Sequence, residues 1–303
     1  MEKLVEREAA PRNPLAAAPA IAVQFFLIPL LVIGATVLLY VGFRSLLTED
    51  RSAQEYLIDI QSGGSNRRWP AAYELSRLMG DPRFVKKEEA TLAPELVRAF
   101  AASGASVDDD PRVRQYLALA LGRLTPPIPA DARSLLIEAL NDKDSQTRIS
   151  AIWALGSTGD VTVAPQIERM YDSDDAGVRK MAVYALGSLP ADVGAPTLVK
   201  ALNDQQPDVQ WNAAVALARH GRHDGVPVLR RMLDRDFVQH AVTRQQQAQD
   251  DLDPVGEVMI SGLRAIAALK ESSLSEPVKA LSRDDKNLKV REAATETLRT
   301  ING

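Results

Sequence analysis

The sequence predicts an all-α fold, a solenoid of stacked helical hairpins preceded by one transmembrane helix. Segments 147–156, 178–187 and 209–218 align without a gap at a step of 31 residues, and prolines 165, 196 and 227 keep that step. A fixed period of this size, with two helical stretches in each copy, is typical of α-solenoids. The second observation is a stretch without any charged residue at 20–43.

The composition excludes several classes of function. The net charge is -4 and the sequence pI is about 5.6, which argues against nucleic acid as the main ligand. The chain has no cysteine, so it holds no disulfide, no thiolate metal site and no cysteine nucleophile. Abundant alanine and leucine favour close packing of helices.

The N-terminal region predicts a disordered tail at 1–19 and a single membrane span at 20–43. At about 1.5 Å per residue, the 24 residues of this stretch are long enough to cross a hydrocarbon core of roughly 30 Å. A cleaved signal peptide and a buried soluble helix are the alternatives. A signal peptide has a shorter apolar core and a cleavage site of small residues, so the anchor in the cell membrane is favoured.

The charges that flank the predicted span indicate its orientation. Lys3, Arg7 and Arg12 precede the stretch, whereas only Arg44 and Arg51 follow it closely. Positive charge favours the cytoplasmic side of a membrane. We therefore expect the N-terminus in the cytoplasm and the repeats on the outer side.

The remainder divides into a juxtamembrane helix and linker at 44–65 and a repeat array at 66–303. Ser52 and Glu55 have the spacing of a capping box at the start of the juxtamembrane helix. The spacing between units is longer than average twice, which predicts insertions near 80–91 and 241–257. Inserted loops in solenoids often bind a partner, although a flexible polar excursion without a role is an equal alternative.

Each unit reads as a first helix, a short turn and a second helix. Apolar residues at three- and four-residue spacing form the buried stripe of the first helix, which ends at Leu155 in one unit. Gly156 and Gly187 stand where this helix is expected to end and turn. Pro165 and Pro196 stand near the start of the second helix, where a missing N–H costs little.

A structural ladder is predicted at the start of the first helices. Its members are Asp110 and Arg114, Asp144 and Arg148, Asp175 and Arg179, and Asn287 and Arg291. The first residue of each pair is expected to cap the helix and to face the arginine one turn further on. Helix caps and tethers between repeats are favoured over a catalytic groove.

The ladder is interrupted where the equivalent pairs are Gln206 with Gln210 and Val255 with Met259. These two units flank the late insertion, so a specific binding site is predicted there. Basic side chains on the last second helices indicate an acidic partner surface, with a merely solvated face as the alternative. The candidate partner-binding residues are Arg230, Arg231, Arg235, Arg244, Gln245, Lys279 and Arg283.

The pattern Val-Arg-x-x-Ala-x-x-Ala-Leu-Gly at 178–187, with a related copy at 113–122, resembles HEAT-like repeats of the short bacterial type described in phycobilin lyases. The resemblance covers 66–303. It implies a right-handed superhelix whose concave inner surface, lined mainly by second helices, binds other proteins. It also implies little about activity, because similar repeats occur in lyases, hydroxylases, adaptors and scaffolds.

Enzymatic relatives are disfavoured by the residues present. Deoxyhypusine hydroxylases hold two irons with His-Glu dyads, whereas His220, His223 and His240 are not followed by glutamate. No catalytic residue, metal site or cofactor is therefore predicted. We expect a membrane-tethered scaffold that binds a protein partner. The alternatives are an accessory or assembly subunit of a membrane enzyme or transporter, and, less favoured, an enzyme similar to a tetrapyrrole lyase.

Overall fold

A computed structural model of the chain describes residues 28–47, 51–104, 110–243 and 253–303, which form helices and turns. The chain divides after Ser52 into two compact units. The predicted tail at 1–19 and the first part of the predicted span, residues 20–27, lie outside the described residues.

The first unit contains helix α1 (Ile28–Leu47). Its large apolar side chains are exposed, and Leu38 is 74% exposed. Among the described residues, no helix combines the length and the apolar character needed to cross a membrane. The membrane span at 20–43 therefore stays a prediction.

The second unit runs from Ala53 to Gly303. In its described part the helices are α2 (Ala53–Ser62), α3 (Ser65–Leu78), α4 (Pro82–Ala102), α5 (Pro111–Leu121), α6 (Ala130–Ala139), α7 (Ser145–Ser157), α8 (Ala164–Met170), α9 (Ala176–Leu186), α10 (Ala195–Ala201), α11 (Pro207–Arg219), α12 (Val226–Met232), α13 (Arg235–Thr243), α14 (Pro254–Leu269), α15 (Ser275–Asp284) and α16 (Leu288–Asn302).

These helices form two rows. The first helices α3, α5, α7, α9, α11, α14 and α16 each pack on the next one in the row. Each second helix packs against the first helix of the following unit, as α8 does on α9 and α10 on α11. Stacking of this kind buries both sides of a hairpin that could not bury them alone. The architecture is an all-α solenoid.

Helix α2 belongs to the solenoid. It was predicted to lie in a juxtamembrane linker, with the array starting near residue 66. In the structure Leu57 and Ile60 are buried, and α2 packs against α3 and α4. Because the first hairpin would otherwise leave its apolar end open, this helix covers the array as a terminal cap.

The two predicted insertions are largely helical where the structure describes them. The early extra residues extend the second helix α4 to 21 residues. The late insertion is preceded by α13, which buries Val238 and packs on α12 and α14. Residues 244–252 lie outside the described residues, and α14 begins at Pro254, inside the predicted insertion.

Glycine in the repeat motif serves close packing rather than a turn. Gly156 lies inside α7, and Gly187 follows α9 with an ordinary helical φ of -69°. A Cβ atom on Gly156 would stand 2.7 Å from Ala185 Cβ and 3.0 Å from its Cα. The sequence interpretation, that these glycines permit the chain to turn, is therefore corrected: neighbouring first helices approach too closely for a side chain.

Substitution Gly156→Val tests this packing. The added side chain meets backbone that cannot move aside, so we expect a loss of about 1–3 kcal/mol of unfolding free energy. Urea denaturation followed by circular dichroism measures it. Ser157→Val, at the exposed next position of the same helix, is the matched control and should stay within about 0.5 kcal/mol of wild type. Equal stability of both variants would contradict the packing role.

Inter-repeat arginine ladder and a candidate protein-binding surface

The capping half of the predicted ladder is present. Asp110 accepts a hydrogen bond from Arg112 N at 3.0 Å, and Asp144 accepts one from Thr147 N at 2.7 Å. Asp175 and Asn287 cap α9 and α16 in the same way. Each side chain thereby satisfies an amide that the first turn of the helix leaves open.

The arginines do not face these caps. Arg114 Nε donates to Asp142 Oδ2 at 2.7 Å. Arg179 donates through Nε and Nη2 to the two carboxylate oxygens of Asp204, at 2.9 and 3.0 Å. Because the cap carboxylates already accept from their own helices, the arginines reach 25 to 28 residues along the chain into the next unit. The predicted pairing within one helix is corrected to a tether between repeats.

The pair of Arg179 and Asp204 is the most enclosed of these tethers. The two side chains are 15% and 5% exposed. Burial alone raises the pKa of Asp204, but hydrogen bonds from Arg179 and from Gln206 N outweigh it and hold that pKa below its usual value. Burial and the Asp204 charge raise the pKa of the neighbouring Tyr171 to about 12.

The ladder is interrupted at a different place from the one predicted. Ser173 stands where Asp142 and Asp204 stand in the adjacent units. Arg148 donates to the carbonyl oxygens of Asp142 and Lys143, at 2.8 and 3.1 Å. The carboxylate partner is thus lost in a unit that the sequence pattern had judged intact.

Gln210, at a predicted interruption, keeps the backbone contact of the ladder arginines. Its Nε2 donates to Asp204 O at 2.6 Å, as Arg291 donates to Asp285 O at 2.7 Å in the last unit. Gln206 begins α11 without a side-chain cap. The substitution by glutamine therefore changes the charge at this place but preserves the tie to the preceding turn.

The sixth unit retains its cap. Val255 and Met259, which the alignment placed on the ladder, are buried apolar residues. The cap is Asp253, two residues earlier, which accepts from Gly256 N at 2.9 Å. The extra residues of the late insertion shifted the alignment and hid this cap.

Arg235 is not available to a partner, contrary to the sequence prediction. It donates to both carboxylate oxygens of Asp285, at 2.9 and 2.7 Å, and Asp285 is buried. Its guanidinium also lies 3.6 Å from Asp253. The late insertion thus supplies, from α13, the arginine that ties the last two units together.

The other predicted partner-binding residues divide into two groups. Arg230 and Arg231 are exposed on α12, and Lys279 and Arg283 are exposed on α15. Arg244 and Gln245 lie outside the described residues, so the prediction for them stays open.

Two exposed cations were missed by the sequence reasoning. Arg169 on α8 and Lys200 on α10 occupy the same place in their helices as Arg231 on α12, at the 31-residue step. We call these three residues the basic column. The period that predicted the fold could have found it, had the polar positions been aligned as well as the apolar ones.

The histidines serve as links between turns. His220 Nε2 lies 3.0 Å from Leu189 O, and His223 Nδ1 lies 2.6 Å from Glu271 Oε2. In the described part of the chain, no group of three histidine or acidic side chains is arranged to hold a metal ion.

Two rows of helices tied by arginines across units define a solenoid of the HEAT/armadillo type. Residues 99–187 and 168–249 match the family model of HEAT repeats. The chain is a HEAT repeat protein. A comparison with curated proteins found no match.

The solved structures that resemble the chain share the fold. The complex of CpcE and CpcF of phycocyanin lyase from Nostoc sp. PCC7120 is 17% identical, with a TM-score of 0.53, covering 83% of this chain and 95% of that one. An archaeal HEAT-like repeats protein from Thermococcus onnurineus NA1 is 15% identical, with a TM-score of 0.43, covering 83% and 97%. A designed armadillo repeat protein in complex with the peptide (KR)4 is 16% identical, with a TM-score of 0.44, covering 83% and 100%.

Substitution Asp204→Asn tests the tether. It leaves the Arg179 guanidinium buried without a counter-charge, so we expect a loss of about 3–5 kcal/mol of unfolding free energy. Asp172→Asn is the matched control, because Asp172 pairs with Lys200 on the surface, with side chains 70% and 65% exposed. That change should cost less than about 1 kcal/mol. Equal losses in urea denaturation would sink the assignment.

The same variant predicts a pH dependence. The pKa of Asp204 is lowered on folding, so its contribution is complete above its unfolded pKa of about 3.9 and is lost as pH falls through the folded pKa. The difference in unfolding free energy between wild type and Asp204→Asn should be constant from about pH 5 to 8 and shrink below about pH 4. Urea titrations across this range measure it. A difference that grows on acidification would reverse the sign we assign.

Proposed function

We propose that the chain is a membrane-tethered scaffold that binds a partner protein through the surface of its second helices. HEAT repeat solenoids are generally protein-binding scaffolds. The observation that carries the proposal here is the basic column of Arg169, Lys200 and Arg231, which is exposed on three successive second helices. The tethers between repeats use other arginines, so the basic column is left for a partner.

The ionisable groups favour binding over catalysis. In the described residues, each carboxyl group with a shifted pKa is shifted downward by hydrogen bonds to arginine, backbone or neighbouring side chains, as in Asp81, Asp160 and Asp253. A general acid at neutral pH needs a raised carboxyl pKa. These shifts stabilise caps and ion pairs, which supports the proposal of a binding protein.

The proposed tether rests on α1 and the sequence before it. Exposed leucines, among them Leu30, Leu38 and Leu39, give α1 a surface that water solvates poorly. The uncharged stretch starts at residue 20, eight residues before α1 begins. A bilayer would cover this surface and hold the array at a fixed height beside a membrane partner.

Deletion of residues 20–43 tests the tether. We expect the full-length protein to stay with membranes after washing at alkaline pH, and the deletion variant to be released, because its apolar segment is gone. Immunoblots of the pellet and supernatant measure the partition. Release of the full-length protein by the wash would reject the tether.

Orientation can be tested with a single cysteine, because the chain has none. Ser134 is exposed on α6, and a membrane-impermeant maleimide should label the Ser134→Cys variant in intact spheroplasts if the array lies outside. The cysteine-free wild type is the control for background labelling. Labelling only after lysis would place the array in the cytoplasm.

Site-specific photo-crosslinking tests the scaffold surface. Pro196 and Pro227 are exposed on second helices, whereas Ser188 and Arg219 are exposed at the ends of first helices. A photoreactive amino acid at either proline position should yield a discrete protein adduct in membranes, and at the two control positions it should not. Absence of an adduct from both proline positions would reject the second-helix surface as the binding site.

A further inference from the structure

We propose that the second-helix surface recognises an extended acidic segment of the partner, with carboxylates placed to pair with Arg169 and Arg231. This inference rests on the proposed scaffold function and names the chemistry of its partner. It follows from how the charges of the basic column are balanced.

The middle cation of the column already has a counter-charge. Lys200 Nζ lies 3.1 Å from Asp172 Oδ1, 28 residues earlier in the preceding unit. The residues 28 positions before Arg169 and Arg231 are Asn141 and Asn203. The repeat thus supplies a carboxylate for one cation and a neutral amide at the equivalent place for the other two.

The outer cations are left without carboxylate partners. Within the described ranges, no aspartate or glutamate oxygen lies within 4.0 Å of the side-chain nitrogens of Arg169 or Arg231. Arg231 Nη2 donates to Gln210 Oε1 at 2.9 Å, and its guanidinium lies 5.6 Å from the centre of the Phe237 ring. Arg231 is therefore held in place while its charge remains available.

The spacing of the two arginines sets the length of the ligand. They are two repeats apart, and the first helices that set the repeat pack on one another at roughly 8–10 Å per step. The arginines are then separated by about 16–20 Å. An extended chain rises about 3.3 Å per residue, so two carboxylates five or six residues apart reach both.

A peptide fits this surface better than a continuous polyanion. Asp172 and Asp234 are exposed beside the column, and they repel a surface of dense negative charge such as an anionic bilayer. A peptide with neutral residues between two carboxylates avoids both. Neutral small residues are therefore expected between the acidic positions.

The test uses the full-length protein in detergent micelles and fluorescein-labelled eight-residue peptides at low ionic strength. One peptide carries two glutamates six positions apart, separated by serine and glycine; a second carries them two positions apart; a third has glutamine in both places. Fluorescence anisotropy should show tighter binding of the first peptide than of either other. Each exposed ion pair contributes up to about fivefold in affinity.

Variants of the column give a matched set of controls. Arg169→Gln or Arg231→Gln should each weaken binding of the first peptide up to about fivefold, whereas Lys200→Gln should leave it unchanged. Asn203→Asp should weaken binding as Arg231→Gln does, because it supplies an internal counter-charge. Asp172→Asn should strengthen binding, because it frees Lys200. Circular dichroism confirms that each variant is folded.

Three outcomes would overturn the proposal. The first is an equal effect of Lys200→Gln and Arg231→Gln, and the second is equal binding of the two glutamate spacings. The third is a flotation assay in which phosphatidylglycerol vesicles bind the protein through the same two arginines in preference to the peptide. If crosslinks at Pro196 and Pro227 persist in the doubly substituted protein, the acidic-segment inference fails while the scaffold function stands.

Discussion

The close approach of neighbouring first helices is the constraint on which the rest of the structure depends. Gly156 meets Ala185, and Gly187 meets Ala216 one repeat later, at distances that leave no room for a side chain. Small residues at every crossing let the helices stack in a regular row. Because the row is regular, the second helices follow at equal steps, and exposed side chains at one position of the repeat fall into a line.

Polar ties between units follow from this stacking. In a solenoid each unit contacts only its neighbours, so a buried charge must find its partner one repeat away. Arg179 does so with Asp204, and Arg235 does so with Asp285. Such pairs add little net stability over an apolar contact, but a mismatched neighbour would leave a charge unpaired. They therefore favour one register of the stack.

The distinction between internal and external charge also locates the binding surface. The late insertion was expected to mark the site because the ladder is interrupted beside it. Instead, α13 inserts Arg235 into the tether system, and Asp253 caps the next helix. The cations without carboxylate partners lie on α8 and α12, in the regular part of the array. Departure from the repeat in this chain partly marks repair of the stack rather than a site.

The period, the hairpins and the helix caps follow from the sequence alone, because their causes act over a few residues or repeat at a fixed step. Asp144, for example, caps α7 through an amide only three residues away. The arginine partners required the tertiary structure: Arg114 and Asp142 are 28 residues apart, and nothing local chooses between that carboxylate and the nearer Asp110. Packing also decided that α2 belongs to the array, since its amphipathic pattern shows a buried face without showing what covers it.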